Sequence, residues 1–222
     1  MPRKRGVLGR VGQVLIALLA VGFACASYIY LTLPDVRVLR TENPEETAFM
    51  RLRAEEARRG GHDPKRVHRW VPYNRMSSQL KRAVLVAEDS AFWQHDGIDL
   101  HQIRESMEIN LERMEFARGG STITQQLAKN LYLSPSKNPV RKIKELLIAR
   151  RLEIALRKER ILELYLNVIE WGDGIYGAEA AARTYFRKPA STLTAEESAL
   201  LAAAIINPRT LNPGRPIARL RT

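Results

Sequence analysis

From Val11 to Leu33 the chain runs 23 residues without a charged side chain, and no other stretch limits its fold so strongly. As a helix this segment would span roughly 34 Å at ~1.5 Å per residue, enough to cross the ~30 Å hydrocarbon layer of a bilayer. Arg3, Lys4, Arg5 and Arg10 precede it. A positive flank of this kind stays on the cytoplasmic side and sends the remainder of the chain outward. Tyr28 and Tyr30, near the far end, suit the membrane–water interface. The expectation is a single membrane anchor. The rival is a cleaved leader, with Ala24 and Ala26 flanking Cys25, but a leader's apolar region usually has ~7–15 residues and this one is longer.

The rest of the chain suffices for one sizeable domain and leaves no room for a second catalytic one. Lysine and arginine total 36 against 24 acidic residues, a formal charge of +12. That excess calls for an anionic partner: nucleic acid, phospholipid headgroups or a phosphorylated substrate. Cys25 is the only cysteine, which excludes an intramolecular disulfide and a cysteine-based zinc site. The four histidines are scattered, with no pair four residues apart.

Polar, mixed-charge sequence comes after Pro34 and reads as a linker with one helix, Glu45 to Arg59, closed by Gly60-Gly61. Beyond Trp70 helical patterns dominate: about Ser77 to Glu88, Leu100 to Phe116, Thr122 to Tyr132, Pro139 to Arg157, Glu159 to Ile169, Gly177 to Phe186 and Ala195 to Ile206. Thr194 and Glu197 have capping-box spacing. No segment alternates with period two, so the domain is expected to be mainly α. The implied division is a basic tail over 1–10, an anchor over 11–33, a juxtamembrane linker over 34–66 and a catalytic domain over 67–222.

Three stretches carry groups able to do chemistry. In "LVAEDSAFWQHDG" an apolar helix ends in Glu88-Asp89, a setting that raises the pKa of Glu88. Asp89 is read as a turn or scaffold residue, with His95 and Gly97 shaping the loop. In "RGGSTITQQLAKN" Ser121 or Thr122 can cap a helix whose N-terminus attracts anions. Arg118 precedes that turn and Lys129 comes after it. In "NPVRKIKELLIARRLEIALRK" Ile143, Leu147 and Ile154 lie on one side of a helix and Ile148, Leu152 and Leu156 nearly opposite, which predicts burial on both faces. Glu145 falls in the second stripe with Arg141 one turn earlier. Taken singly, each feature also reads as structure: a solvated helix end, a capped helix, an ion pair.

Glu88-Asp-x-x-Phe92-x-x-His95-x-Gly97, Gly119-Gly-Ser-Thr-Ile-Thr-Gln-Gln126, Arg141-Lys-x-x-Glu145, "ILELYLNVIEWGDGIYGAEAAARTYF" and "LTAEESALLAAAIINP" occur in that order. Together they resemble the five motifs of peptidoglycan glycosyltransferases, the family that includes stand-alone monofunctional transglycosylases and the transglycosylase domain of class A penicillin-binding proteins. The likeness runs from about Arg69 to Pro213. It implies a lysozyme-like, mainly α fold with a smaller jaw lobe that meets the membrane. It implies lipid II and the growing glycan strand as substrates, and β-1,4 polymerisation with release of undecaprenyl diphosphate.

By motif position the resemblance makes Glu88 the base and Glu145 the second carboxylate, assisting the diphosphate directly or through a divalent cation, Mg²⁺ or Mn²⁺. It assigns Arg118, Lys129, Arg141 and Lys142 to the diphosphate and places Ser121, Thr122 and Gln125 in the donor site. No metal ligand is assigned. The implied location is the inner membrane, single-pass, with the catalytic domain in the periplasm. The implied partners are membrane lipids and cell-wall synthesis or division proteins, with no nucleic acid. A lytic muramidase would share the fold and two acids but has no need for the cations. A non-enzymatic basic scaffold leaves the acids in apolar stripes unexplained. Ser134-Pro-Ser-Lys137 has S-x-x-K spacing, but neither S-D-N nor K-T-G accompanies it.

Overall fold

The computed structural model describes residues 5–113, 120–134 and 138–215. The chain divides into two compact units, Met1–Asp35 and Val36–Thr222. The first holds a single helix, α1 (Arg5–Leu31), whose apolar stretch Val11–Leu31 is long enough to cross a membrane and has none of its residues buried.

In the second unit helices predominate: α2 (Ala48–Arg59), α3 (Ser78–Glu88), α4 (Leu100–Arg113), α5 (Ile123–Tyr132), α6 (Pro139–Ala155), α7 (Lys158–Val168), α8 (Ala178–Phe186) and α9 (Ala195–Ala204). Their starts obey local chemistry. Thr47, Ser77, Thr122, Asn138 and Thr194 each accept a backbone N–H of the first turn through a side-chain oxygen. Thr194 and Glu197 complete a reciprocal capping box.

α5 is the hub. Ile123, Leu127, Ala128 and Leu131 are buried, and the helix packs against α2, α6 and α7. α7 is enclosed along most of its length, with Ile161, Leu162, Leu164, Tyr165 and Leu166 inaccessible. α3 packs against α9. The segment expected as a linker contributes α2 to this unit, with Met50 and Thr47 buried.

α6 departs from expectation. Ile148 and Leu152 are buried, but Ile143 is 49% exposed and Ile154 71% exposed. Only the stripe bearing Ile148, Leu152 and Leu156 is buried, while Leu147 on the other stripe is partly covered.

Three short strands were not foreseen: β1 (Val67–His68), β2 (Glu170–Gly172) and β3 (Ile175–Tyr176), in the order β1-β3-β2. β1 and β3 run parallel, β2 and β3 antiparallel. Gly174, at φ +71°, makes the β2–β3 turn where a Cβ would strike Lys65. Asn167 of α7 holds the neighbouring chain, accepting from the Val71 N–H and donating to the Val71 carbonyl, both at 2.9 Å.

Candidate active site

Glu88 is the last residue of α3, and its half-buried carboxylate accepts one hydrogen bond from a described residue, Gln126 Nε2 to Oε2 at 2.7 Å. Burial pushes its pKa up, the Gln126 bond and the Lys129 charge pull it back, and the neighbouring Asp89 charge adds to the rise. Asp89 is fully buried. Its carboxylate accepts from His95 Nε2 at 2.9 Å and from the Ile123 N–H at 2.9 Å, so it ties the end of α3 to the first turn of α5. Gly97 donates its N–H to His95 Nδ1 at 3.1 Å, which makes Nδ1 the acceptor and Nε2 the protonated nitrogen facing Asp89.

The second carboxylate sits on α6. Glu145 is buried, and Arg141 Nη1 donates to its Oε2 at 2.6 Å. Lys142 Nζ donates to Oε1 and also reaches Ser121 Oγ at 3.3 Å and Gln125 Oε1 at 3.4 Å. Lys142 therefore joins α6 to the start of α5. The charges of both Glu145 and Glu88 act on Lys129. Burial lowers its pKa, the two carboxylates oppose that, and Arg141 and Lys142 add to the lowering. Arg141 and Lys142 pair with Glu145, and Lys129 feels the same field, so cations outnumber the acid here and the arrangement attracts a further anion.

Eight of the nine residues anticipated from the sequence are therefore drawn together by α3, α5 and α6. Arg118 lies outside the described residues. Thr122 takes a particular place: its hydroxyl donates to the Gly97 carbonyl at 2.7 Å and accepts from the Gln125 N–H, so its side chain is consumed by the cap. Gln125 is buried, and its Nε2 finds no acceptor among the described residues. Sequence reading gave no role to Gln126, although it closes the motif Gly119 to Gln126 and stands three residues before Lys129 on the same face. It also missed Tyr165, whose hydroxyl donates to Gln126 Oε1 at 2.9 Å. A supporting network went unseen too: Glu153 accepts from Thr124 at 2.6 Å and from Lys158 at 2.8 Å, and Lys158 also donates to the His95 carbonyl.

A divalent cation would need several hard oxygen ligands. Among the described residues no three acidic, histidine or cysteine side chains converge, and both oxygens of Glu145 already accept from cationic donors. These residues do not fit a protein-held divalent cation.

Residues 55–222 match the family described as Transglycosylase. A biosynthetic peptidoglycan transglycosylase of Nitrosomonas eutropha is 48% identical over 206 residues, covering 93% of this chain and 83% of the relative. One from Aromatoleum aromaticum is 52% identical over 167 residues, 75% of this chain and 73% of the relative. One from an Azoarcus species is 46% identical over 199 residues, 90% and 85% respectively.

Proposed function

The chain belongs to the transglycosylase family and is a peptidoglycan glycosyltransferase that polymerises glycan strands in cell-wall biosynthesis, and on that premise we propose how its site performs the transfer. The acceptor is the sugar hydroxyl of lipid II, and the donor is a glycan carried on undecaprenyl diphosphate. Glu88 takes the proton of the acceptor hydroxyl through Oε1, the oxygen to which no described residue donates, as that hydroxyl attacks the donor's anomeric carbon. The bond from that carbon to the diphosphate breaks, and the diphosphate departs with the electron pair.

A hydroxyl is a weak nucleophile and needs a positioned base, and a glutamate raised by burial is suited to that task. The departing charge is held by Lys129, Arg141 and Lys142. Arg118 belongs with these cations by its motif position. Glu145 fixes Arg141 and Lys142 in place, so its role is to shape the cationic wall.

The observation that carries this reading is the contrast between the surroundings of the two acids. Among the described residues Glu88 accepts only from the neutral Gln126 amide, whereas Glu145 accepts from both Arg141 and Lys142. α1 anchors the enzyme in the membrane where its lipid-linked substrate resides, and the basic residues before it favour a cytoplasmic N-terminus and a periplasmic catalytic unit. Incubating the purified chain with labelled lipid II should yield a polymer that lysozyme degrades. A folded protein that yields none overturns the proposal.

A further inference from the structure

Gln126 stands between two helices with every polar end of its amide engaged. Its Nε2 donates to Glu88 Oε2 at 2.7 Å and to the Ser121 carbonyl at 3.5 Å, and its Oε1 accepts from Tyr165 Oη at 2.9 Å. Tyr165 sits in the last turn of α7 with no solvent exposure, and its ring is part of the core. Its hydroxyl makes no other described hydrogen bond.

An amide can be turned end for end, and only its hydrogen-bond partners decide which end faces where. Turned over, Gln126 would aim its carbonyl oxygen at the Glu88 carboxylate. The Glu88 carboxylate and the Ser121 carbonyl only accept, so both take the amide nitrogen, and the Tyr165 hydroxyl anchors the other end by donating to Oε1. We infer that Tyr165 is a positioning residue that works through Gln126: it keeps the amide N–H on Glu88 Oε2 and so leaves Oε1 as the oxygen that receives the acceptor's proton. This rests on the reading of Glu88 as the base.

The groups around Glu88 support the assignment. Asp89 on its own helix end and Lys129 on α5 act on it with opposite sign, and Tyr165 faces it from α7. Burial and the nearby charges of Glu88 and Asp89 push the Tyr165 hydroxyl far above its ordinary value, so it remains a donor across the working range. α9, which packs on α3, contributes as titratable groups Glu196 and Glu197, neither of which acts on Glu88. Gln126 is thus the neutral donor that opposes the effect of burial on Glu88.

The test is the pH dependence of kcat for the full-length enzyme on lipid II in detergent, with Tyr165→Phe, Gln126→Met and the double variant. Tyr165→Phe keeps the ring and removes one oxygen. It should lower kcat roughly ten- to 150-fold, as expected for losing control of a hydrogen bond to a charged group, with KM little changed. The acid limb should move to higher pH, because a base that loses its donor holds its proton longer. Gln126→Met should move the limb the same way, and the double variant should equal Gln126→Met alone.

A Tyr165→Phe enzyme with wild-type kcat and acid limb overturns the proposal, as does an effect that adds fully to that of Gln126→Met. If Tyr165→Phe does not fold, an unmoved acid limb in Gln126→Met overturns it alone. Glu88→Gln separates the two levels. If that variant is active, the base assignment fails. If it is inactive while Tyr165→Phe behaves as wild type, only the relay fails.

Discussion

Arg141 and Glu145 form an ion pair at 2.6 Å one turn apart on α6, around a carboxylate side chain that is only 4% exposed. The pair is both structural and functional. A carboxylate is costly to bury at that depth without cations beside it, and Glu145 in turn helps to hold Arg141 on the face of α6 that meets α5. Arg141→Ala should therefore reduce stability as well as turnover. Lys142 still serves Glu145, so the loss should be about 1.5–3 kcal/mol, the range for a hydrogen bond to a charged group, rather than the ~3–5 kcal/mol of a carboxylate stripped of every partner. Thermal unfolding should show a melting point lowered by roughly 3–10 °C.

Lys129 should behave differently. Its pKa is depressed, chiefly by burial, so its charged form already costs folding free energy. Lys129→Ala should leave the melting temperature nearly unchanged while reducing turnover on the order of 10² to 10³, the effect of deleting one group aimed at developing charge. Parallel melting and lipid II assays check the contrast. A Lys129→Ala protein that melts far below wild type yet polymerises normally would reverse the assignment.

Glu88→Gln should abolish polymerisation, with kcat falling on the order of 10² to 10⁴, and should make the protein more stable at neutral pH. The sign comes from the raised pKa. The folded state holds the Glu88 proton more tightly than the unfolded state, so stability falls as pH rises from the unfolded value through the folded one. Above that window the ionised carboxylate is a standing cost that glutamine removes. Below the unfolded value the two proteins should melt alike. Melting curves from acid to neutral pH for both proteins test this.

These contrasts show where sequence stops being informative. Arg141 and Glu145 could be paired on paper, because positions four apart on a helix must be neighbours. Thr122 and Gln125 could be read as a cap for the same reason. Gln126 and Tyr165 are 39 residues apart, and their meeting depends on how α5 packs on α7, which no periodicity encodes. The small sheet escaped because strands of two or three residues cannot display an alternation. The α6 helix shows the same limit in reverse. Its two apolar stripes are visible in the sequence, but only the fold reveals that Ile148 and Leu152 face protein while Ile143 and Ile154 do not.

Gly97 sets the loop that carries His95. Its φ of +87° is one that side chains rarely tolerate, and a Cβ there would come within 2.9 Å of the Glu153 side chain. Gly97→Ala should strain the turn, loosen the His95–Asp89 contact and displace Glu153 from Lys158 and Thr124. The expected result is a loss of about 1–3 kcal/mol in stability together with a fall in kcat, since Asp89 orients the end of α3 that bears Glu88. Wild-type melting and turnover in Gly97→Ala would show that the loop adapts without disturbing the site.

On the exposed stripe of α6, Ile143 and Ile154 stand open beside Lys144, Arg150 and Arg151, a combination of apolar and basic groups that suits the surface of an anionic bilayer. A chain lacking residues 1–33 retains the whole compact unit that begins at Val36. It should still polymerise lipid II in detergent and should retain weak affinity for vesicles containing anionic lipid. Burying one isoleucine contributes roughly 1.5–3 kcal/mol when complete, so Ile143→Asp or Ile154→Asp in the truncated chain should weaken vesicle binding about tenfold or more. Neither change should lower the melting temperature, because neither side chain packs in the core. Vesicle sedimentation of the truncated protein and both variants, at low and high salt, separates the apolar contribution from the electrostatic one. Equal sedimentation of all three would mean that this face of α6 does not touch the bilayer.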